Sequence, residues 1–419
     1  MKTFTKLTIN YCILLFIFTI LTIGAYTIPN DTIRKNVIES THVFQEEGLY
    51  KKFFNFKLFQ MDNFTDCYMM NLAISGDNES PIESAMMNYD YKSQNFMNLA
   101  YDTEKIASGD TTDLKRGSYG RYWQGYQTTL RPVLTVLDYT KIRILNYILF
   151  VALLTICLYL MCTTISGKVA LIFGISLLAI NFPIVPLSLQ FSTCFFIALT
   201  GMILIMKYPK LTQESNLYCT FFTIGAITSF MDFLTTPQLT LGLPLIIYLL
   251  ARGGKEKAWK TIIILSVVWA AGYGCLWASK WIIGYLLTGN NILADAMQSV
   301  ELRSSNLYKG MEMTIPNIIS FIWTNIKAKH LTGLFYLGLA IIAAMIFVYI
   351  RIMKDKQSIK NYSWLLLTTM IVPVWFLALR NHSIQHGWFT WRAGLLSLFS
   401  LILFIYYTTD IKKLFHKSK

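Results

Sequence analysis

Residues 142–163 read IRILNYILFVALLTICLYLMCT, and this stretch decides the fold class. No charged residue follows Arg143 in it, and about 20 apolar residues are the length that an α-helix needs to cross the hydrocarbon core of a bilayer. Similar stretches occur at about 9–28, 169–184, 189–206, 217–232, 236–251, 261–287, 331–350, 363–379 and 393–409. The sequence therefore predicts an all-α polytopic membrane protein with about ten transmembrane helices.

The composition of the chain agrees with this prediction. Of its 419 residues, 54% are hydrophobic and 14% are charged, whereas a soluble globular protein carries about 25% charged residues. These values exclude a disordered protein, a disulfide scaffold and an ordinary soluble enzyme. The apolar run from Ile9 to Ile28 is longer than the core of a cleaved signal peptide, which has about 7–15 residues, so we expect an uncleaved first span.

The net charge of +14 lies almost entirely on one side of the predicted membrane topology. Seventeen Lys and Arg residues, but only 4 Asp and Glu, lie in the N-terminus and in the segments near 164–168, 207–216, 252–260, 351–362 and 410–419. An excess of Lys and Arg is typical of cytoplasmic connections. We therefore expect a multi-pass protein of the plasma membrane with both termini in the cytoplasm. The basic charge needs no nucleic-acid partner.

The predicted spans divide the chain into three parts. Residues 1–29 hold the first transmembrane helix, residues 30–141 form an extracytoplasmic loop domain, and residues 142–419 form a bundle of about nine helices with an outer amphipathic segment near 289–330. A connection as long as the loop domain is expected to fold. We expect an amphipathic helix within Val37–Phe59 and a second helix capped by Thr65 or Asp66.

The residues with unusual chemistry gather on the predicted outer face. They are Asp66, Arg121, Tyr122, Trp123, Arg131, Asp232, Lys280, Asn381, His382, His386, Trp388 and Arg392. A transporter is expected to place polar groups near the midplane of the bilayer, and the predicted spans hold no run of charges at that depth. The pattern favours chemistry on an amphiphilic substrate at the outer surface of the membrane.

Three of these groups allow more than one interpretation. The segment Ser118–Tyr126 is either an aromatic belt at the interface or a site for a headgroup or sugar, because arginine binds phosphate bidentately and aromatic faces stack on sugars. Lys280 either extends to the interface or binds an anion in a cavity. His382 and His386 share one face if their segment is helical. They either bind a metal, act as polar loop residues or contact a phosphosugar headgroup.

The topology of the whole chain resembles that of the GT-C type membrane glycosyltransferases. Those proteins begin with one transmembrane helix, followed by a large outer loop with an acidic motif at the start of an amphipathic helix. Residues 65–73, TDCYMMNLA, resemble that motif, although Asp66 is not followed by a second acid as in many members. The segments 119–123, 232–237 and 381–386 also resemble poorly characterised multi-pass proteins of low-GC Gram-positive bacteria, which look like a branch of the same superfamily.

This resemblance implies the transfer of a sugar from a polyprenyl-phosphate donor to an envelope glycan, lipid or protein acceptor, among membrane lipids. Asp66 would be the general base. The donor phosphate would be held by Lys280, Arg392, Arg131, His382 and His386. The substrate would contact Asp232, Arg121, Tyr122, Trp123, Trp388 and Asn381. No metal site is predicted, and a need for a divalent cation stays open.

Two other functions fit the same pattern. A flippase, an exporter or a non-catalytic partner in envelope synthesis would use the same cations to bind a pyrophosphate headgroup without chemistry. An O-antigen-type polymerase also has about ten spans and outer arginines. Its large loop usually lies late in the chain, whereas the loop domain here follows the first span.

Overall fold

The computed structural model describes residues 3–76, 79–252, 257–305, 307–308, 310–328, 336, 340, 343, 345–350, 352–353 and 355–410. Most of these residues are helical. The strands in the described part form two short antiparallel ribbons, in which β1 (Tyr89–Lys92) pairs with β2 (Lys115–Ser118) and β3 (Leu307–Tyr308) pairs with β4 (Met311–Glu312).

The helices follow the chain from the first span through the loop domain into the bundle. The first six are α1 (Thr3–Tyr26), α2 (Asn30–Glu47), α3 (Asn63–Ile74), α4 (Pro81–Met87), α5 (Leu99–Ala107) and α6 (Gln127–Leu134). The next eight are α7 (Tyr139–Thr164), α8 (Gly167–Ala179), α9 (Leu189–Lys207), α10 (Glu214–Met231), α11 (Gln238–Arg252), α12 (Ala258–Thr288), α13 (Ile292–Ser304) and α14 (Ile315–Ala328). The last six are α15 (Lys356–Tyr362), α16 (Trp364–Thr369), α17 (Ile371–Ala378), α18 (Arg380–Gln385), α19 (Gly387–Thr390) and α20 (Gly394–Thr408).

Five helical segments of the described chain are long and apolar enough to cross a membrane. They are α1, α7, α9, α12 and the segment Gly387–Thr408, which ends in α20. The segments Lys356–Tyr362 and Trp364–Ala378 form a sixth candidate that is bent by 41° at its break. The chain is therefore a membrane-embedded, helical protein.

Ten spans stay a prediction, because the helices found at three of the predicted positions are short or polar. Helix α8 has 13 residues and α11 has 15, and at 1.5 Å per residue both are shorter than a hydrocarbon core of about 30 Å. Helix α10 begins with the polar residues Glu214, Ser215 and Asn216. The span predicted near 331–350 lies mostly outside the described residues.

The loop domain contains a separate apolar core, made by buried residues between Ile33 and Ile142. The helix predicted within Val37–Phe59 is wrong beyond Glu47, because Gly48 leaves the helical conformation with φ of +74°. The cap predicted for the second helix is also wrong. Asp62 caps α3, with its side chain accepting a hydrogen bond from the backbone N–H of Thr65.

Polar contacts fix the loop domain on the bundle. Arg143, in the first turn of α7, donates from both terminal nitrogens to the carboxylate of Glu47 at 2.9 Å. The carboxylate of Asp66 accepts hydrogen bonds from the backbone N–H groups of Leu189 and Gln190, at the start of α9. These contacts hold α2 against the start of α7 and α3 against the start of α9, and the candidate site lies beside them.

Candidate functional site

A cavity of about 320 Å³ lies between the loop domain and the bundle. Its polar walls are Asp62, Thr65, Gln190, His382, Gln385 and His386. Its aromatic walls are Tyr50, Phe64, Tyr68, Tyr119, Phe233, Trp388 and Phe389. A largely aromatic wall with a few convergent polar groups is typical of a site for a small molecule or a sugar.

Asp62 is the carboxylate of this cavity. Its oxygens accept hydrogen bonds from the backbone N–H of Thr65 at 3.1 Å and from the Thr65 hydroxyl at 2.8 Å. Burial raises the pKa of Asp62 to about 7, and the neighbouring Asp66 raises it too, whereas the bonds from Thr65 and the charge of Arg392 lower it. A carboxyl with this pKa exchanges protons near neutral pH, as a general acid or base must.

The two histidines lie together in the part of the cavity wall that the bundle contributes. The rings of His382 and His386 are 4.6 Å apart between centroids, on the four-residue spacing that the sequence predicted. His382 Nε2 lies 2.9 Å from the carbonyl oxygen of Leu234, so the ring N–H donates a hydrogen bond to that oxygen. Asp232 supports this contact, because its carboxylate accepts from the backbone N–H of Thr235 and closes the turn that presents Leu234.

The aromatic walls contact each other as well as the cavity. The rings of Tyr50 and Trp388 meet edge to face, with centroids 5.6 Å apart. Phe64 stacks on both Tyr50 and Tyr68, with centroid distances of 5.9 and 6.5 Å. Ring faces held in this way offer rigid apolar surface on which a sugar ring can stack at little cost in side-chain entropy.

Arg392 is separated from the cavity by Phe191, whose ring contacts the cavity residues Trp388 and Phe389. Only 2% of the surface of Arg392 is exposed, and the centre of its guanidinium is 4.5 Å from the ring centroid of Phe191. Its Nε and Nη1 have no hydrogen-bond partner among the described residues. A buried cation with unpaired donors is costly unless an anion accepts from it, so Arg392 is the strongest candidate for binding a phosphate.

Asp66, the base predicted from the sequence, lies outside the walls of the cavity. It is fully buried and accepts from Leu189 N at 2.9 Å, from Gln190 N at 3.1 Å and from the Tyr139 hydroxyl at 2.5 Å. Burial raises the pKa of Asp66 to about 6, although these three hydrogen bonds lower it. The arrangement is that of a cap for helix α9 supplied by a distant part of the chain.

The predicted phosphate ligands Lys280 and Arg131 also lie away from the cavity. Lys280 donates to the carbonyl oxygens of Ala85 and Met86, at 3.0 and 2.9 Å, at the end of α4. Arg131 donates from Nε to Ala25 O at 2.8 Å, and its terminal nitrogens bond to Ile28 O, Ala73 O and Asn30 Oδ1. Both cations thus satisfy carbonyl groups at helix ends.

Replacing Lys280 by Met is expected to lower stability by about 1–3 kcal/mol, because buried carbonyl groups at the end of α4 lose their donor. Thermal unfolding of the purified protein in detergent measures this loss. Lys260→Met changes an exposed lysine on the same helix and is the matched control, with an expected change within about 0.5 kcal/mol. An unchanged melting temperature with weaker binding of a phospholipid headgroup would instead support the phosphate role of Lys280.

Arg121 and Asn381 hold the segment that follows α12. Arg121 Nη1 lies 2.9 Å from the carboxylate of Asp295 in α13, and the guanidinium stacks over the ring of Tyr119, which lines the cavity. Asn381 Nδ2 donates to the carbonyl oxygen of Leu307 at 2.7 Å. Both residues therefore fix neighbours of the cavity and do not line it themselves.

Tyr122 and Trp123 pack their own segment, Ser118–Tyr126, against α12. The ring of Tyr122 stacks on Trp277 with a centroid distance of 5.6 Å and an interplanar angle of 12°. The indole N–H of Trp123 donates to the carbonyl oxygen of Leu276 at 2.6 Å. These contacts belong to the packing of the protein, and Tyr119 is the aromatic of this segment that reaches the cavity.

Sequence reasoning missed most of the aromatic wall and the central carboxylate. The residues missed are Tyr50, Asp62, Phe64, Thr65, Tyr68, Tyr119, Gln190, Phe233, Gln385 and Phe389. One signal was present, because Asp62 precedes Thr65 by three residues, which is the spacing of a side-chain helix cap. The cap places Asp62 at the N-terminal end of α3, whereas the carboxylate of Asp66 points toward α9.

The residues brought together are Asp62, the histidine pair and Trp388, with Arg392 behind the ring of Phe191. Among the described residues no group of three or more His, Cys, Asp or Glu side chains is arranged to hold a metal ion. The chemistry available is proton transfer by a carboxyl, hydrogen bonding by imidazoles, stacking on aromatic rings and neutralisation of an anion. Comparisons of the chain with protein-family models, with curated proteins and with solved structures find no match.

Proposed function

We propose that this protein is an integral membrane glycosyltransferase that takes a sugar from a polyprenyl-phosphate donor and transfers it to an acceptor hydroxyl in the cavity. The observation that carries the proposal is the buried carboxyl of Asp62, which lines an aromatic cavity between the loop domain and membrane-embedded helices. The aromatic cavity offers a surface for the sugar ring, and the adjoining helical bundle can hold the lipid part of the donor. We expect the loop domain and cavity to lie on the extracytoplasmic face.

In this reaction the Asp62 carboxylate accepts the proton of the acceptor hydroxyl. The acceptor oxygen forms a bond to the anomeric carbon of the sugar, and the bond between that carbon and the lipid phosphate oxygen breaks. The electron pair of the broken bond leaves with the phosphate. Attack and departure on opposite faces invert the anomeric centre, which needs a base on one side of the ring and a positive group on the other.

Arg392 and the histidine pair are the groups assigned to the leaving phosphate. Positive charge and N–H donors held in place before the reaction stabilise charge that develops in the transition state. The guanidinium of Arg392 has two donor nitrogens that no described residue accepts from. The acceptor is a glycan, lipid or protein of the envelope that presents a hydroxyl group to the cavity.

The test is turnover by the purified full-length chain with a panel of polyprenyl-phosphate sugars. Release of polyprenyl phosphate from at least one donor, with a matching glycosylated acceptor, is the expected result. A divalent chelator added to the same assay reports any need for a metal ion. Saturable binding of the lipids without release from any donor, over a panel of acceptors, contradicts the proposal and favours a flippase or a binding partner.

Trp388→Ala is expected to raise the KM for the donor by about two- to tenfold with a smaller change in kcat, because an aromatic stacking partner contributes about 0.5–1.5 kcal/mol. The measurement is a donor titration under steady-state conditions. Trp259→Ala is the matched control, since Trp259 is an exposed tryptophan in the first turn of α12. Equal KM values for the two variants would remove Trp388 from the sugar site.

A further inference from the structure

One exposed segment of the loop domain has no role in the site described above. Residues 51–60, KKFFNFKLFQ, form a closed loop of two 3-10 turns, Phe53–Asn55 and Lys57–Phe59, whose ends are joined by an antiparallel β-bridge between Lys52 and Gln60. We call this loop the hairpin. Its tip exposes three large apolar side chains, with Phe54 85%, Phe56 60% and Leu58 50% exposed. Apolar groups so exposed on neighbouring residues mark a surface that another apolar phase covers.

The hairpin is fixed at the membrane end of the loop domain. Lys51 Nζ lies 3.0 Å from the carboxylate of Glu47, which in turn binds Arg143 in the first turn of α7. The amide of Asn181, just after α8, donates to the carbonyl oxygen of Leu58 at 3.0 Å. The hairpin therefore lies at the level of the loop-domain ends of two apolar helices.

The lipid-facing surface of α7 begins beside this anchor. Ile144, the residue after Arg143, is 55% exposed, and Ile148 one turn further is 59% exposed. Exposed apolar residues on a membrane-spanning helix mark the surface that contacts lipid. The exposed tip of the hairpin therefore lies at the same height as the first lipid-facing residues of α7.

The remaining composition of the hairpin suits the headgroup region. Lys52 and Lys57 are exposed on the same hairpin, and basic side chains near a bilayer are attracted to anionic lipids. Aromatic residues are enriched at the level of the headgroups. Phe53 and Phe59, by contrast, turn inward and pack against the core of the bundle, so the two sets of phenylalanines face different surroundings.

We propose that this hairpin is an interfacial anchor that inserts Phe54, Phe56 and Leu58 into the bilayer leaflet on the side of the loop domain. Its lysines contact lipid phosphates. The neck of the hairpin carries two residues that line the cavity, because Tyr50 precedes it and Asp62 follows it. The neck is closed by hydrogen bonds from Met61 N to Lys51 O and from Phe64 N to Leu49 O. The anchor therefore sets the height of the cavity above the bilayer.

The depth of the hairpin can be measured without any enzymatic assay. In the full-length chain the four cysteines that are not buried, Cys12, Cys162, Cys219 and Cys275, are changed to Ser. Phe54→Cys then provides the single accessible labelling site for an environment-sensitive fluorophore. The labelled protein is reconstituted into vesicles of phosphatidylcholine with about one third phosphatidylglycerol. Nitroxide groups on the lipids quench a label within the leaflet, and iodide quenches a label in water.

We expect lipid nitroxides to reduce the fluorescence of the label at position 54 at least twofold, with little effect of iodide. Tyr101→Cys is the matched control, because Tyr101 is a comparably exposed aromatic on α5 of the loop domain, 57% exposed. Its label is expected to respond to iodide instead. Quenching of both labels by iodide to the same extent overturns the proposal.

A second variant tests whether the apolar side chains hold the hairpin in the leaflet. Phe56→Ser with Leu58→Ser, added to the protein labelled at position 54, is expected to reduce lipid quenching about twofold and to increase quenching by iodide. Both side chains are exposed, so the melting temperature in detergent should not change. Unaltered lipid quenching in this variant overturns the role assigned to Phe56 and Leu58.

Discussion

Asp62→Asn is expected to lower the rate of sugar transfer by about 10²–10⁴-fold, because the amide cannot accept the proton of the acceptor hydroxyl. The fold should be preserved, since Asp62 is the N-cap of α3 and asparagine is as good a helix cap as aspartate. Single-turnover rates with a saturating donor measure the effect. A melting temperature equal to that of the wild type establishes that the variant is folded.

The pH dependence of the wild type supports or contradicts the same assignment. A general base acts in its ionised form, and burial raises the pKa of Asp62 to about 7. We therefore expect kcat/KM to fall as the pH drops below about 7 and to reach a plateau above it. A carboxyl with an ordinary pKa would produce that fall near pH 4. A profile that is flat through pH 7, or an Asp62→Asn rate within about twofold of the wild type, would exclude Asp62 as the base.

Asp66→Ala is expected to lower the free energy of unfolding by about 3–5 kcal/mol. The substitution leaves three buried donors without an acceptor, namely Leu189 N, Gln190 N and the Tyr139 hydroxyl, and each such group costs about 1–3 kcal/mol. Unfolding of the purified protein by a denaturing detergent, followed by circular dichroism, measures the loss. The largest change in structure is expected where the first turn of α9 meets the loop domain.

Two further variants make this result specific. Glu46→Ala removes an exposed carboxylate from the loop domain and should change stability by no more than about 0.5 kcal/mol. Asp66→Asn keeps one acceptor oxygen, so its loss should be smaller than that of Asp66→Ala. If Asp66→Ala were as stable as the wild type but inactive, the role of general base predicted from the sequence would return to Asp66.

The sequence predicted the class of the fold because hydrophobic length is a strong signal. Helices α7, α9 and α12 match predicted spans within three residues at each end, and α1 begins six residues before its predicted start. The agreement is close because a bilayer allows few other structures for such stretches. The number of spans was less predictable. Helix α10 packs against neighbouring helices. Such packing partners cannot be predicted from the hydrophobicity of a single helix.

The site was predicted only in part, for a physical reason. His382, His386 and Trp388 lie in the cavity as a local motif in one connection, so their spacing in sequence was informative. Lys280 and Arg131 looked like anion ligands because a charge within an apolar environment demands a partner. The sequence does not tell whether that partner is a ligand or a backbone carbonyl, and here it is a carbonyl.

The cap that Asp66 provides for α9 has a consequence for biosynthesis. Asp66 precedes Leu189 by 123 residues in the chain, and ribosomes add about 5–20 residues per second. The loop domain is therefore complete before α9 is made, with roughly 6–25 s between the two residues at that rate. The N-terminal turn of α9 meets a partner that is already present, so the order of translation itself protects the helix end from exposure during membrane insertion.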